Sequence, residues 1–147
     1  IMRGEIIWQK SKGANANFAW GSWLSASNPV IRDIHEYCLV FSKDSMKNSS
    51  GGISTIEKDE FMESTLSIWN INPEKAKKIG HPAPFPVELP KRFINLYSFK
   101  DDLVLDPFIG SGTTALASKL MQRNYVGYEI NKDYIEIANK RLETETS

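Results

Sequence analysis

One stretch of the sequence combines residue types that can hold a nucleotide-like ligand. Residues 105–115 read LDPFIGSGTTA, in which an apolar run ends at an Asp-Pro pair and two glycines lead into a second apolar segment. Glycine lets the backbone come close to a ligand, and the amides that open the following helix face it. Gly110, Gly112 and Ala115 fit the pattern G-x-G-x-x-G/A, and Glu129, 19 residues after Gly110, is placed to bind a ribose.

The residues before the first glycine bear on which ligand this loop binds. A dinucleotide needs its glycines directly after the strand, whereas here Asp106 to Ile109 intervene. A carboxylate repels a pyrophosphate but attracts the amino group and sulfonium of S-adenosylmethionine. The sequence has no G-x-x-x-x-G-K-[ST] motif of a phosphate-binding P-loop. Ile109 breaks the G-x-S-x-G motif that a nucleophilic Ser111 would need. The loop therefore predicts S-adenosylmethionine as the ligand, with a glycine-rich turn that only packs strand on helix as the alternative.

The elements around this loop alternate between strand and helix. Their patterns predict a strand at 102–106, a helix at 112–123, a strand at 125–130 and a helix at 132–142, with Asn131 as the N-cap of the last. Such alternation with short connections predicts an α/β fold with a parallel, doubly wound sheet.

The first half of the chain is less regular. Strands are predicted at 4–10 and 35–43, and the second should be well buried because both of its faces are apolar. The long loop between them is expected to be functional. Residues 44–60 are polar and rich in Ser and Gly, which predicts a flexible insertion or linker, and residues 86–98 predict a helix.

Composition limits the class of protein. The chain has 147 residues, 41% hydrophobic and 24% charged, which is typical of one soluble globular domain without a membrane span. The single cysteine, Cys38, excludes an internal disulfide and fits a reducing cytosol. His35 and His81 are far apart in sequence, which argues against a metal site. Residues 1–50 carry six Lys/Arg against four Asp/Glu, so a polyanion partner is permitted there.

Longer segments resemble a known family. HPAPFPVELPKRFINLYS, LVLDPFIGSGTTALAS and YVGYEINKDYIEIANKRL are similar to consecutive donor-binding motifs of DNA amino-methyltransferases in their β arrangement. RGEIIWQK and GSWLSASNPVIRDIHEYCLVFSK resemble the strand pair that closes the catalytic subdomain of that family. The resemblance implies a Rossmann-like methyltransferase fold, with part of the catalytic subdomain at 1–43, target recognition or a linker at 44–72, and donor binding at 73–147.

The family's pattern also implies roles for individual residues. Asp106 contacts the methionine end of S-adenosylmethionine, Glu129 binds its ribose hydroxyls, and His81 begins a wall on the other side of the pocket. The cofactor-binding set implied by the resemblance is His81, Pro82, Ala83, Phe85, Asp106, Pro107, Phe108, Gly110, Ser111, Gly112, Thr113 and Glu129. For His81 and Phe85, turn and core positions are the alternative, and Cys38 lacks the Pro-Cys context of a nucleophile.

The sequence departs from the family at the catalytic turn. The family methylates a flipped adenine N6 or cytosine N4 with an [Asp/Ser/Asn]-Pro-Pro-aromatic turn, and this sequence has no Pro-Pro pair. In the β arrangement that turn lies upstream of residue 1. The resemblance therefore implies an incomplete C-terminal portion, inactive alone, whose partner is the missing N-terminal half or a second copy.

The implied substrate is double-stranded DNA with one base flipped, in a microbial, cytoplasmic restriction–modification system. Candidate DNA contacts are Lys10, Lys12, Trp20, Trp23, Arg32, Lys43 and Lys47, with scattered surface lysines and core tryptophans as the alternative. Rival assignments are a non-catalytic donor- or DNA-binding remnant, half of a split enzyme, and an RNA or small-molecule methyltransferase.

Overall fold

The computed structural model describes residues 1–10, 23–27, 29, 31, 33–74 and 85–145. Within them two consecutive strands are followed by alternating helices and strands. In chain order these are β1 (Met2–Gln9), β2 (His35–Phe41), α1 (Lys58–Ser64), β3 (Ile68–Asn70), α2 (Glu88–Tyr97), β4 (Leu103–Asp106), α3 (Thr113–Leu120), β5 (Asn124–Gly127) and α4 (Lys132–Thr144). None of the helices in these residues is long and apolar enough to cross a membrane.

The first sheet has the strand order β2-β1-β3. β1 is antiparallel to β2, with Ile6 opposite Cys38, and parallel to β3, with Trp8 opposite Trp69. One face of this sheet packs against α2 through Leu89, and the ring of Phe93 lies 4.7 Å from that of Trp69. The predicted strands at 4–10 and 35–43 and the helix at 86–98 are thus confirmed, with ends shifted by a few residues.

The prediction that β2 is well buried is wrong for one of its two faces. Cys38 and Val40 pack against the core, but Tyr37, Leu39 and Phe41 are 60%, 54% and 62% exposed. Alternate residues of a strand point to opposite faces of its sheet, and α2 covers only one of them. An apolar sequence on both faces therefore does not ensure that both are covered within this chain.

Cys38 itself gives a testable chemical property. Burial, and secondly the negative charge of Glu36, raise the pKa of its thiol, so the reactive thiolate is scarce in the folded chain. We expect iodoacetamide at about pH 8 to label Cys38 roughly tenfold more slowly in the native chain than in urea, as measured by mass spectrometry. Equal rates in the two states would contradict this position for Cys38.

The polar segment before α1 also differs from its prediction. Its composition predicts flexibility for residues 44–60, yet the Ile53 carbonyl accepts a hydrogen bond from the Lys100 amide at 2.9 Å, and the Thr55 hydroxyl accepts one from the Arg123 guanidinium at 2.5 Å. The segment thus ends on fixed contacts with distant parts of the chain, and α1 begins at Lys58. A search for local periodicity misses such contacts, because the partners lie far away in sequence.

The second sheet confirms the predicted strand–helix alternation. β4 and β5 are parallel, with Asp106 opposite Gly127, and α3 connects them. α3 is shorter than the predicted helix and ends at Leu120. The predicted N-cap of α4 is confirmed, since the Asn131 side chain accepts a hydrogen bond from the Asp133 amide at 2.9 Å.

Candidate functional site

The carboxyl ends of β4 and β5 bring two carboxylates to one edge of the second sheet. Asp106 is the last residue of β4, and Glu129 follows two residues after the end of β5. The strands are parallel neighbours, about 4.8 Å apart, so both side chains lie beside the loop that follows β4. Two negative charges at the end of a parallel sheet favour a ligand that offers a cation and hydroxyl donors.

Asp106 is held by the loop it precedes. Its Oδ1 accepts a hydrogen bond from the Phe108 amide at 2.9 Å, which closes an Asx turn over Pro107. Its Oδ2 accepts one from the Thr114 hydroxyl at 2.6 Å, in the first turn of α3. The carboxylate is therefore oriented by partners on both sides of the glycines. The contribution of Thr114 was not evident from the sequence.

The Glu129 carboxylate accepts hydrogen bonds from three backbone amides. Its Oε1 accepts from Ile130 and Asn131, each at 2.8 Å. Its Oε2 accepts from the Gly110 amide at 3.1 Å, so Glu129 directly contacts the glycine loop. The loop is thus held between Asp106 on one strand and Glu129 after the next.

The backbone conformation favours glycine at both positions of the loop, and close packing gives a second reason for glycine at position 112. Both adopt left-handed backbone conformations, with φ of 51° at Gly110 and 80° at Gly112, which is the N-cap of α3. A Cβ at Gly112 would lie 2.8 Å from the Cβ of Ala138 on α4. Gly112 therefore allows two helices to pack closely, whereas the sequence pattern alone assigns it to the approach of a ligand.

A third glycine, Gly127 at the end of β5, makes room for a side chain of the loop. A Cβ at Gly127 would lie 2.1 Å from the Cδ1 of Ile109, so the Ile109 side chain occupies the space above the end of β5. The Ile109 amide also donates a hydrogen bond to the Tyr128 carbonyl at 3.0 Å. The residue that interrupts the G-x-S-x-G pattern thus attaches the loop to the neighbouring strand.

Arg141 is the principal site residue that sequence reasoning missed. Its Nη1 donates to the Ser111 carbonyl at 3.0 Å and to the Thr113 hydroxyl at 3.1 Å, and all three residues are buried. Its Nε donates to Glu145 at 3.2 Å. The sequence places Arg141 in the last turn of a helix, where a cation favours the helix dipole. That local explanation conceals its contact with the loop 30 residues earlier.

Removing this arginine should loosen the loop. Arg141→Met leaves the buried Ser111 carbonyl without this donor, and we expect the free energy of unfolding to fall by about 2–3 kcal/mol. Amides of residues 111–116 should exchange with deuterium faster than in the wild type, as measured by mass spectrometry. Lys140→Met changes the exposed neighbour on α4 and is the matched control. Unchanged exchange in Arg141→Met would contradict the contact's importance.

The other predicted cofactor-binding residues occupy different environments. Pro107 is exposed and Phe108 is 88% exposed at the tip of the loop, whereas Phe85 packs against the core of the first sheet. The hydroxyls of Ser111 and Thr113 face Arg141 in the interior. His81, Pro82 and Ala83 lie outside the described residues.

The predicted DNA contacts among the described residues do not form one patch. Lys10 follows β1, forms an ion pair with Glu36 and lies over the Trp8 ring. Lys43 and Lys47 line a cleft of about 750 Å³ at the opposite end of β2, about 25 Å from Lys10 on strand geometry. Trp23 is exposed. Lys12, Trp20 and Arg32 lie outside the described residues.

The cleft that contains Lys43 and Lys47 is also separated from the loop after β4. It is lined on its other side by Tyr97, Ser98 and Phe99, which precede β4, whereas the loop follows the far end of that strand. No group of three or more potential metal ligands occurs in the part of the chain that the structure describes.

Comparisons with known proteins agree with this geometry. A family model described as a DNA methylase, of the N6/N4 type, matches residues 1–140. The chain is 43% identical to the type II methyltransferase M.BglI of Bacillus subtilis over 94% of its own length and 38% of the relative's. It is 33% identical to the type II methyltransferase M.MjaI of Methanocaldococcus jannaschii, over 93% of this chain and 48% of that protein.

A solved structure shows the same arrangement of elements. The putative DNA modification methylase TTHA0409 of Thermus thermophilus, in complex with S-adenosyl-L-methionine, superposes with a TM-score of 0.72 at 28% identity, over 99% of this chain and 54% of that one. The predicted Rossmann-like α/β methyltransferase fold is thereby confirmed. The chain spans half or less of the length of the two curated relatives named above. From the match over residues 1–140 and these relatives, the chain belongs to the DNA methylase family of the N6/N4 type.

Proposed function

We propose that this chain is the donor-binding portion of a DNA amino-methyltransferase. It binds S-adenosylmethionine at the carboxyl edge of β4 and β5, for transfer of the methyl group to adenine N6 or cytosine N4. The observation that carries this proposal is the loop held between the carboxylates of Asp106 and Glu129. The complex of TTHA0409 with S-adenosyl-L-methionine supports the choice of ligand.

The two carboxylates suit two different groups of this donor. Asp106, already turned toward the loop by Phe108 and Thr114, can accept hydrogen bonds from the ammonium of the methionine end. Glu129, whose plane is fixed by three backbone amides, has a lone pair left on Oε2 that can accept a hydrogen bond from a ribose hydroxyl. Phe108 offers an exposed aromatic ring beside them. The residues present therefore fit S-adenosylmethionine.

The transfer itself needs groups of another kind. When bound, the donor would supply an electrophilic methyl group on a sulfonium: the sulfur–carbon bond breaks as the carbon–nitrogen bond forms, the sulfur leaves as a neutral thioether, and the accepting amine loses a proton. Hydrogen-bond acceptors must orient that amine, and an aromatic ring must stack the flipped base. The family provides these in a Pro-Pro-aromatic turn, and the sequence has no Pro-Pro pair. We therefore propose that catalysis requires a second portion that carries this turn.

The wider setting is part of the same proposal. The relatives are type II methyltransferases, which supports a restriction–modification system with double-stranded DNA as the substrate. Residues 44–72 are the natural place for target recognition, although β3 within them pairs with β1 of the first sheet. Lys10 and Trp23 remain proposed DNA contacts, and Lys10 lies at the end of β1 opposite to Lys43 and Lys47.

Two measurements on the full chain test the proposal. Isothermal titration calorimetry should show S-adenosylmethionine binding at one site per chain. Transfer of tritiated methyl groups to mixed duplex DNA should remain at background for the chain alone. A lack of donor binding would refute the proposed site, and robust methyl transfer by the chain alone would refute the requirement for a second portion.

A further inference from the structure

The cleft before β4 carries positive charge that the proposed donor site does not use. Its volume is about 750 Å³, and its walls include the start of β1, the segment after β2 and the connection between α2 and β4. Arg3, Lys43 and Lys47 line it, and Asp44 is the one carboxylate among the described residues that do so. We call this the basic cleft; these four residues and Tyr97 define it.

The described residues do not neutralise the three cations of the basic cleft. Neither Arg3 nor either lysine forms an ion pair with a described carboxylate, although other basic side chains of the chain do. The Arg3 guanidinium donates from Nε to the Ser42 hydroxyl and from Nη2 to the Met46 carbonyl. It also lies 5.3 Å from the centre of the Tyr97 ring. These partners carry no net charge, so the cleft is free to attract an anion.

Contacts with distant residues fix the wall that carries the two lysines. Arg3 on β1 holds this segment at two points. Further along, Gly52 lies against Phe99, where an added Cβ would be 2.5 Å from the Phe99 Cβ. Between these points, Asn48 Oδ1 accepts hydrogen bonds from the Ser50 amide at 3.1 Å and the Ser50 hydroxyl at 2.7 Å. The wall is therefore preorganised, which lowers the entropy lost when a ligand binds.

The side chains of the basic cleft are of the types that contact nucleic-acid phosphates. Besides the cations, hydroxyl and amide side chains line it, those of Ser42, Ser45, Asn48 and Ser49. Phosphate oxygens in protein–DNA complexes accept hydrogen bonds from Arg, Lys, Ser and Asn, and such contacts carry no sequence information. The cations come from two separate elements, which suits the repeated charges of a phosphodiester backbone better than one small anion.

The basic cleft is separated from the donor loop, residues 107–112. Residues 97–99 line the cleft and precede β4, whereas the donor loop follows this strand. The four residues of β4 span roughly 13 Å. A base that receives the methyl group must lie at the donor loop, and the bases that define the target are its neighbours. The cleft is therefore placed to hold phosphates that flank the target rather than to read its bases.

We infer that the basic cleft is a second DNA-binding site, which holds phosphodiester groups of duplex DNA independently of their sequence. Arg3 shapes the cleft, and Lys43 and Lys47 supply the contacts. This inference rests on the proposed function, because the choice of duplex DNA as the polyanion comes from it. Within residues 44–72, it assigns the segment after β2 to DNA affinity and not to the choice of target sequence.

Fluorescence anisotropy of the full chain with labelled duplexes of two unrelated sequences tests the basic cleft. Lys43→Gln combined with Lys47→Gln should bind both duplexes roughly tenfold more weakly at about 50 mM salt. The slope of log affinity against log salt should become shallower by about 2, because two phosphate contacts are lost. Lys119→Gln combined with Lys140→Gln is the charge-matched control and should keep the wild-type slope. Those lysines are exposed, lie on α3 and α4, and do not line the cleft.

Several results would overturn the inference. They are no binding of duplex DNA by the wild type, an unchanged affinity or slope in the Lys43/Lys47 variant, an equal loss in the control, and a loss confined to one of the two sequences. Displacement of the duplex by inorganic phosphate at constant ionic strength would indicate a site for a free anion instead. Tighter binding of single-stranded RNA than of duplex DNA would equally reject the proposed ligand.

Calorimetry with S-adenosylmethionine separates this inference from the proposed function. The Lys43/Lys47 variant should bind the donor with wild-type affinity and unfold at the wild-type temperature, because both changed side chains are exposed and distant from the donor loop. A wild-type chain that binds DNA through these lysines but does not bind the donor rejects only the donor site. Donor binding with no effect of the two lysines on DNA affinity rejects only the basic cleft.

Discussion

Replacing Glu129 by Gln is expected to weaken S-adenosylmethionine binding roughly a hundredfold. Backbone amides already occupy three of the roughly four lone-pair sites of this carboxylate, so its Oε2 can accept one further hydrogen bond, from a ribose hydroxyl, and such a bond to a charged acceptor contributes about 1.5–3 kcal/mol. The amide of Gln loses the charge and turns one acceptor into a donor, so about 3 kcal/mol of binding free energy is lost, which corresponds to about a hundredfold. Isothermal titration calorimetry measures the affinity directly.

The same substitution also affects the loop, so the experiment needs a way to isolate the ribose contact. Glu129 accepts a hydrogen bond from the Gly110 amide, so Glu129→Gln should also slightly lower the free energy of unfolding. A donor analogue without ribose hydroxyls should bind the wild type weakly and bind Glu129→Gln no more weakly. Glu136→Gln, on the exposed side of α4, is the charge-matched control. Wild-type affinity in Glu129→Gln would show that Glu129 is not the ribose acceptor.

Replacing Arg123 by Met is expected to cause a large loss of stability. Arg123 is 4% exposed, and its guanidinium donates to the Ser98 carbonyl at 2.7 Å and the Thr55 hydroxyl at 2.5 Å. Burial lowers the pKa of Arg123, while the negative charges of Asp102 and Asp101 oppose that shift. Loss of these hydrogen bonds should reduce the free energy of unfolding by about 3 kcal/mol and the Tm by about 10 °C. Urea denaturation and calorimetry measure both quantities.

A double-mutant cycle shows how much of this loss belongs to the fixed segment before α1. Thr55→Val removes one partner of Arg123, and its effect should not add fully to that of Arg123→Met, because the two residues are in direct contact. Lys91→Met is the control, since its ion pair with Glu88 is 3.8 Å long and on the surface, where it contributes little. Additive effects of Thr55→Val and Arg123→Met would contradict an energetic link between the segment and the second sheet.

The sequence predicted the parts of the site whose signal is local. Asp106 and Glu129 each end or follow an apolar strand, and the glycines lie between strand and helix, so order along the chain was enough to bring them together. The N-cap Asn131 could also be predicted, because the Asn131 side chain accepts its hydrogen bond from an amide only two residues further along the chain.

The remaining contacts carry no periodic signal. Arg141 contacts Ser111, 30 positions earlier, and Arg123 contacts Thr55, 68 positions earlier. Each arginine also has an adequate local explanation, as a helix-terminal cation or a surface charge. The burial predicted for Leu39 was wrong for a different reason: its strand has the composition of a buried strand, and the described chain supplies cover for only one face. The composition of a strand thus indicates that its faces are suited to burial, but it does not indicate which residues cover them.

The contact between Arg141 and the donor loop has a consequence for synthesis of the protein. A ribosome makes Ser111 and Gly112 before it reaches the arginine, 30 positions after Ser111, that holds them. Until α4 is released and docks with Ala138 against Gly112, the loop lacks its support from this helix. Affinity for the methyl donor at the proposed site should therefore appear only after α4 has been made. A chain interrupted before Arg141 should contain each of the described strands, β1 to β5, yet bind S-adenosylmethionine poorly.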